Sequence, residues 1–192
     1  MVYICAGHAS NKGHNYDSGA VSKYKGTTIT EAELTKDLRD SIVAYIAAYN
    51  ATASEKITVK TDSDDWNLSQ TIVNSGTTEK DIVFDIHFNA ATPKATGVEV
   101  FYPKEHTNLE KMYANLVCNK ICGITGLLNR GIKTEDKCRH GRLGIMRPKG
   151  INLLVEVCFL TNEYDMDMYF KHYNSLVKGL SELLIQADNE LK

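Results

Sequence analysis

The stretch Asp81-Ile-Val-Phe-Asp-Ile-His87-Phe-Asn89-Ala decides how this chain is read. Val, Ile and Phe crowd it at strand spacing, and Asn89-Ala-Ala-Thr-Pro93 stops it with turn chemistry. It reads as a buried strand that ends in a histidine flanked by polar groups. A lone histidine in such a place is ordinarily a hydrogen-bonded core residue, so the reading depends on what else the chain brings to the same end of a sheet.

Working outward, a strand over Val2 to Ala6 ends at Gly7-His8, and a glycine-rich polar loop follows as far as Ala20. Its glycine spacing fits neither a Walker A motif nor the dinucleotide fingerprint. Thr30-Glu31-Ala-Glu33 has the S/T-x-x-E capping pattern and opens a helix to about Tyr49. On that helix Glu31, Leu34, Leu38, Ile42, Tyr45 and Tyr49 share one stripe, which aims Glu31 toward the core. Glu55 to Lys60 reads as a strand, Asp64 or Asp65 starts a helix to about Asn74, and Gly97 to Tyr102 is a further strand. Thr107-Asn-Leu-Glu110 opens a helix whose Leu109, Met112, Tyr113, Leu116, Val117 and Ile121 read as a core stripe. Residues 126–150 are loop-rich and basic, with a short strand around Leu143 to Met146. Ile151 to Leu160 is the most apolar strand yet carries Glu156 in its middle, and a last helix spans about Asn174 to Leu191. Strands alternating with helices imply a single α/β domain over residues 1–192, a twisted, mostly parallel sheet with helices on both faces. In such sheets ligands bind beyond the carboxyl ends of the strands, where His8 and His87 both lie.

Lys and Arg number 22 against 24 Asp and Glu, so no basic footprint for nucleic acid or an anionic membrane exists. No apolar run approaches the ~20 residues that span a bilayer. The first residues enter a strand directly, without the basic and apolar regions of a secretory signal, which implies synthesis in a cytoplasm. Five cysteines without paired framework spacing agree with a reducing compartment. Cys118 and Cys122 stand one helical turn apart with Cys138 further on, a weak case for a thiolate metal site because no Cys-x-x-Cys pair occurs.

Glu156 forces a chemical argument, because an ionised carboxylate in an apolar strand costs several kcal/mol unless a cation or donors meet it. Arg142 or Arg147 could pair with it structurally. The other reading is a hydrolytic zinc site: two imidazoles and one carboxylate hold the ion, and a further carboxylate moves the proton of the attacking water.

Gly7-His8 after the first strand, Glu31 opening a helix, Ile86-His87-Phe-Asn89-Ala, Gly97-Val-Glu99-Val and Leu154-Val-Glu156-Val-Cys-Phe-Leu-Thr-Asn162 together resemble the zinc-dependent N-acetylmuramoyl-L-alanine amidases of the amidase-3 type. That family contains bacterial cell-wall hydrolases and phage endolysins. The resemblance runs through nearly the whole chain and implies one Zn2+ held by His8, Glu31 and His87, with Glu156 as the catalytic carboxylate. It implies peptidoglycan as substrate, cut at the amide between N-acetylmuramic acid and the first L-alanine of the stem peptide. Asn89 and Arg147, each beside a site residue, are expected to contact substrate. The family's Gly-His-Gly-Gly stands here as Gly7-His8-Ala-Ser10 in a lengthened loop, where His14 is a rival ligand to His8. A zinc peptidase cutting within the stem peptide and a non-catalytic wall-binding module are the alternative readings. With no wall-binding module visible and no signal peptide, the expected setting is that of an endolysin: made in the cytoplasm, acting on the wall after release.

Overall fold

Alternation builds the centre of the molecule. The computed structural model describes all of the chain except Ala9, Lys12 and His140. In strand β5 (Ile82–Asn89) the side chains of Ile82, Phe84, Ile86 and Phe88 enter the main core, so Val83, Asp85 and His87 face the opposite side. The same period in β8 (Ile151–Phe159) sends Ile151, Leu153, Val155 and Val157 inward and leaves Leu154 and Glu156 on the side of His87. Each fully buried aliphatic or aromatic side chain here contributes roughly 1.5–3 kcal/mol by leaving water.

These two strands lie at the middle of a six-stranded sheet, ordered β4-β1-β5-β8-β6-β7, with β1 at Val2–Ala6, β4 at Val59–Thr61, β6 at Val98–Tyr102 and β7 at Asn129–Thr134. β4, β1, β5 and β8 are parallel to one another; β6 runs antiparallel to β8 and parallel to β7. A separate hairpin, β2 (Val21–Tyr24) and β3 (Thr27–Thr30), turns at Lys25-Gly26, where both residues have positive φ as a two-residue primed turn requires.

Three long helices cover one face of the sheet: α1 (Glu31–Thr52), α3 (Asn108–Thr125) and α4 (Glu163–Leu191). The short α2 (Leu68–Val73) lies on the other face, where the Thr71 carbonyl accepts from the Tyr3 hydroxyl at 2.9 Å. Helices thus occupy both faces, but unequally, and the thinly covered face is the one that carries His87 and Glu156.

Several expected bounds shift. The strand expected over 55–60 forms at Val59–Thr61, and the following helix starts at Leu68, where Asn67 and Gln70 make a full capping box. Residues 144–146 form a 3-10 turn rather than a strand. The last helix begins at Glu163 instead of near Asn174, because Asn162 caps it and Met166, Tyr169 and Tyr173 extend its inner face. The hairpin and β7 were not legible in advance. On α3 the core takes Tyr113, Ala114, Val117, Cys118 and Ile121, while Leu109, Met112 and Leu116 stay exposed.

Candidate metal centre

Four elements bring the polar residues together. β1 ends at Gly7-His8, with His8 held in the left-handed region at φ 72, a strained conformation of the kind found at functional sites. Thr30 caps α1, its Oγ1 accepting from the Glu33 amide at 3.2 Å, which starts the helix with Glu31 facing inward and 5% exposed. β5 delivers His87, which stands opposite Glu156 of β8 in register.

Glu31 is the centre of the group. His8 Nε2 lies 3.1 Å from its Oε2 and His87 Nδ1 lies 2.9 Å from its Oε1. Two amides also donate to the same carboxylate, Ala20 to Oε2 and Phe88 to Oε1, both at 3.0 Å. Burial alone would raise its pKa, but the bonds and charges of His8 and His87 carry it far below the carboxylate range. Burial disfavours the charged form of His8, yet Glu31 and Asp17 hold its pKa above the ordinary histidine value. His87 follows the same pattern more strongly, with Asp85 and Glu31 overcoming burial.

The far nitrogen of each imidazole is also held by a carboxylate. Asp17 Oδ2 is 2.8 Å from His8 Nδ1, and Asp85 Oδ2 is 3.1 Å from His87 Nε2. If Nδ1–H of His8 and Nε2–H of His87 are donated outward to these carboxylates, a metal ion that displaces the inner protons would meet lone pairs on His8 Nε2 and His87 Nδ1. One donor atom each from His8, Glu31 and His87 lie within 4.8 Å of one another. Donors around a tetrahedral ion with bonds of about 2.0–2.1 Å stand roughly 3.3 Å apart; the three atoms are already gathered close to that spacing and are of the nitrogen and oxygen types that zinc accepts.

Glycine makes the packing possible. A Cβ at Gly7 would stand 2.5 Å from His87 Cε1, and one at Gly19, itself at φ +59, would stand 2.5 Å from His8 Cδ2. Glu156 adjoins the group without a cation among the described residues: its Oε2 is shielded from solvent and finds no hydrogen-bond partner among them. Burial pushes its pKa up to about 7, against the pull of His87 and with the Glu31, Glu99 and Asp85 carboxylates adding to the rise. The structural alternative, pairing with Arg142 or Arg147, is not realised, since both are exposed and neither forms an ion pair with Glu156 among the described residues.

Asn89 donates from Nδ2 to Glu99 Oε1 at 2.8 Å and accepts the Ala90 amide at Oδ1, so its amide is engaged within the protein. Arg147 is exposed just past the 144–146 turn. His14 is exposed and stands outside the donor cluster. The cysteines make no metal group among the described residues; Cys118 belongs to the main core and Cys138 packs on the opposite face. Ala9, part of the departure from Gly-His-Gly-Gly, lies outside the described residues. Sequence reading missed Asp85 as a partner of His87, although two residues apart on a strand places both on one face. It also gave no role to Asp17 or Trp66, whereas Arg130 and Lys133, read there as part of a basic stretch that could line the approach of an anionic substrate, meet at Glu99.

Beside the cluster a cavity of about 240 Å³ runs under α2 and the 144–146 turn, lined by His8, His87, Trp66, Leu68, Leu143 and Ile145 among others. A mostly apolar cleft with a few convergent polar groups is the usual form of a substrate site.

Such a donor set beside a buried carboxylate is the arrangement used by metal-dependent hydrolases. The sequence pattern of Amidase_3, N-acetylmuramoyl-L-alanine amidase, matches residues 2–182, and the chain belongs to this family of zinc-dependent peptidoglycan amidases. The fold is similar to the catalytic domain of CwlV, an N-acetylmuramoyl-L-alanine amidase from Bacillus (Paenibacillus) polymyxa var. colistinus, at 23% identity and TM-score 0.75, covering 100% of this chain and 98% of that one. It is similar also to the catalytic domain of the CD27L endolysin targeting Clostridia difficile, at 21% identity and TM-score 0.65, covering 96% of each chain. Cwp6 from Clostridium difficile shares 24% identity and TM-score 0.73 over 99% of this chain, which spans only 29% of Cwp6. No curated protein sequence matches the chain. The fold class and the amidase assignment expected from sequence are both borne out.

Proposed function

We propose that His8 Nε2, His87 Nδ1 and Glu31 hold one zinc ion per chain and that Glu156 is the catalytic carboxylate of the amidase. The observation that carries this is the convergence of three donor atoms within 4.8 Å beside a shielded carboxylate oxygen that has no partner among the described residues. A zinc ion held there would lower the pKa of a water toward about 7 and polarise the amide carbonyl. Glu156, its pKa lifted toward neutrality, accepts the proton of the water that attacks the lactyl carbonyl. It then hands that proton to the departing amine of L-alanine. Asp17 and Asp85 keep the imidazoles in the tautomers that face the ion. The cavity under α2, beside His8 and His87, would take part of the substrate, and Asn89 and Arg147 are proposed to contact it elsewhere.

Residues 1–192 form, on this reading, one catalytic domain that acts on the wall after release, as the likeness to an endolysin domain supports. Purified protein incubated with peptidoglycan tests the assignment. New L-alanine amino termini should appear without new reducing sugars, and a chelator should stop their release. Fragments cut inside the stem peptide would overturn it in favour of a peptidase.

A further inference from the structure

On the β7 side of the site, Glu99 lies opposite Glu156 in the β6–β8 register and is 5% exposed. Its Oε1 receives the Asn89 amide, and two cations converge on its Oε2: Arg130 Nε at 2.7 Å and Lys133 Nζ at 2.5 Å. Burial would raise the Glu99 carboxyl, but Lys133 and Arg130 hold it below its usual range. One carboxylate therefore displays two cations, leaving a net charge of +1 and several unused N–H donors. Both side chains remain about one-third exposed, 33% for Arg130 and 32% for Lys133, so a ligand can reach them. Arg130 also stacks over Phe159 at 4.9 Å and bonds the Thr96 carbonyl, which fixes its fork.

The opposite side of the metal cluster is different in kind: the cavity there offers no Lys or Arg, being lined by Trp66, Leu68, Leu143 and the neutral amides Asn15 and Asn67, with its two carboxylates, Asp17 and Asp85, engaged by His8 and His87. The substrate is just as asymmetric. On one side of the scissile amide stands an uncharged N-acetyl sugar, and on the other a peptide bearing carboxylates. We propose that the Arg130–Lys133 pair, presented by Glu99, is a subsite for a carboxylate on the stem peptide, so that substrate lies across the sheet with its peptide toward β7 and its sugar toward Trp66. Crossing from β8 to β7 spans two strand spacings, about 10 Å. An extended peptide covers that distance in about three residues. About two residues plus the length of a side chain cover it, so the carboxylate read here is the one on the second residue after the cut.

This inference rests on the amidase reading above, and its test separates the two. Two muramoyl peptides are compared, identical except that the carboxylate on the second residue is free in one and a carboxamide in the other. Wild type should favour the free acid by about fivefold in kcat/KM, the scale of a half-exposed ion pair, and the preference should shrink as salt is raised. Lys133→Gln should bring the acid-to-amide ratio to about one, Lys133→Glu should invert it, and Lys133→Arg should restore it; thermal melting and zinc content confirm that each variant folds. Equal cleavage of both compounds by wild type, or a wild-type ratio in Lys133→Glu, would overturn the subsite alone. Cleavage of neither compound would overturn the amidase reading and the subsite with it.

Discussion

Replacing Gly7 by Ala tests how the site is packed. The added Cβ would stand 2.5, 2.6 and 2.7 Å from Cε1, Nε2 and Nδ1 of His87, where a carbon needs about 3.5 Å. The ring must therefore retreat by roughly 1 Å. That displacement takes Nδ1 beyond bonding range of Glu31, now 2.9 Å away, and Nε2 beyond range of Asp85, now 3.1 Å away. Losing one ligand's aim in this way should weaken zinc binding by about 100-fold and lower kcat/KM by about 10² or more. The ring is partly exposed and can swing outward, so the fold should survive, with far-UV circular dichroism unchanged. Zinc affinity is read by competition against a chromogenic chelator, and turnover by release of L-alanine amino termini. Gly123→Ala serves as the control. Gly123 lies within α3 with nothing inside 4 Å of an added Cβ, so the change should stabilise the protein by about 0.5–1 kcal/mol and leave zinc binding alone. Wild-type zinc affinity and turnover in Gly7→Ala would refute the placement of His87.

Glu156→Gln should lower turnover by about 10²–10⁴ while zinc stays bound, measured by hydrolysis assay alongside elemental analysis; retained activity would exclude Glu156 from proton transfer. The same residue makes the zinc-free protein sensitive to pH. Its carboxyl keeps its proton up to about 7 in the fold but ionises from about 4.5 when unfolded. Its contribution to stability is therefore complete below pH 4.5 and is lost as pH rises to 7, by about 3 kcal/mol. Denaturant melts of the zinc-free protein between pH 5 and 8 should show that decline, and Glu156→Gln should make it shallower, leaving the part that His8 and His87, whose pKa values are raised in the fold, lose over the same range. Asp85→Asn should weaken zinc binding by about 10–100-fold, since it removes the carboxylate that orients His87, and an unchanged zinc dissociation constant would count against that role.

The parts of this molecule that repeat were open to reading from its residues. Alternation in 82–89 and 151–159 placed His87 and Glu156 on strands, and the Thr30–Glu33 pattern placed Glu31 at a helix start facing inward. What escaped were interactions that join distant segments without a local pattern. The run from Glu163 to Tyr173 mixes acidic and aromatic residues, so its helical face emerges only when Met166, Tyr169 and Tyr173 meet the core. β7, with Arg130 and Lys133, is half-exposed and lacks strand alternation; pairing with β6 defines it. The exposed Leu109, Met112 and Leu116 show the converse, a helical period that continues past the surface the sheet covers. Asp17 reaches His8 only through the path of a loop, which no spacing in the sequence encodes.

The central claim is that His8, Glu31 and His87 share one ion. Anomalous scattering at the zinc edge from crystals of the zinc-loaded protein addresses it directly. One peak per chain, bonded to His8 Nε2, His87 Nδ1 and the Glu31 carboxylate with Glu156 nearby but unbound, is the expected result. A peak held by other residues, or a fully loaded crystal with none between these three, would contradict it.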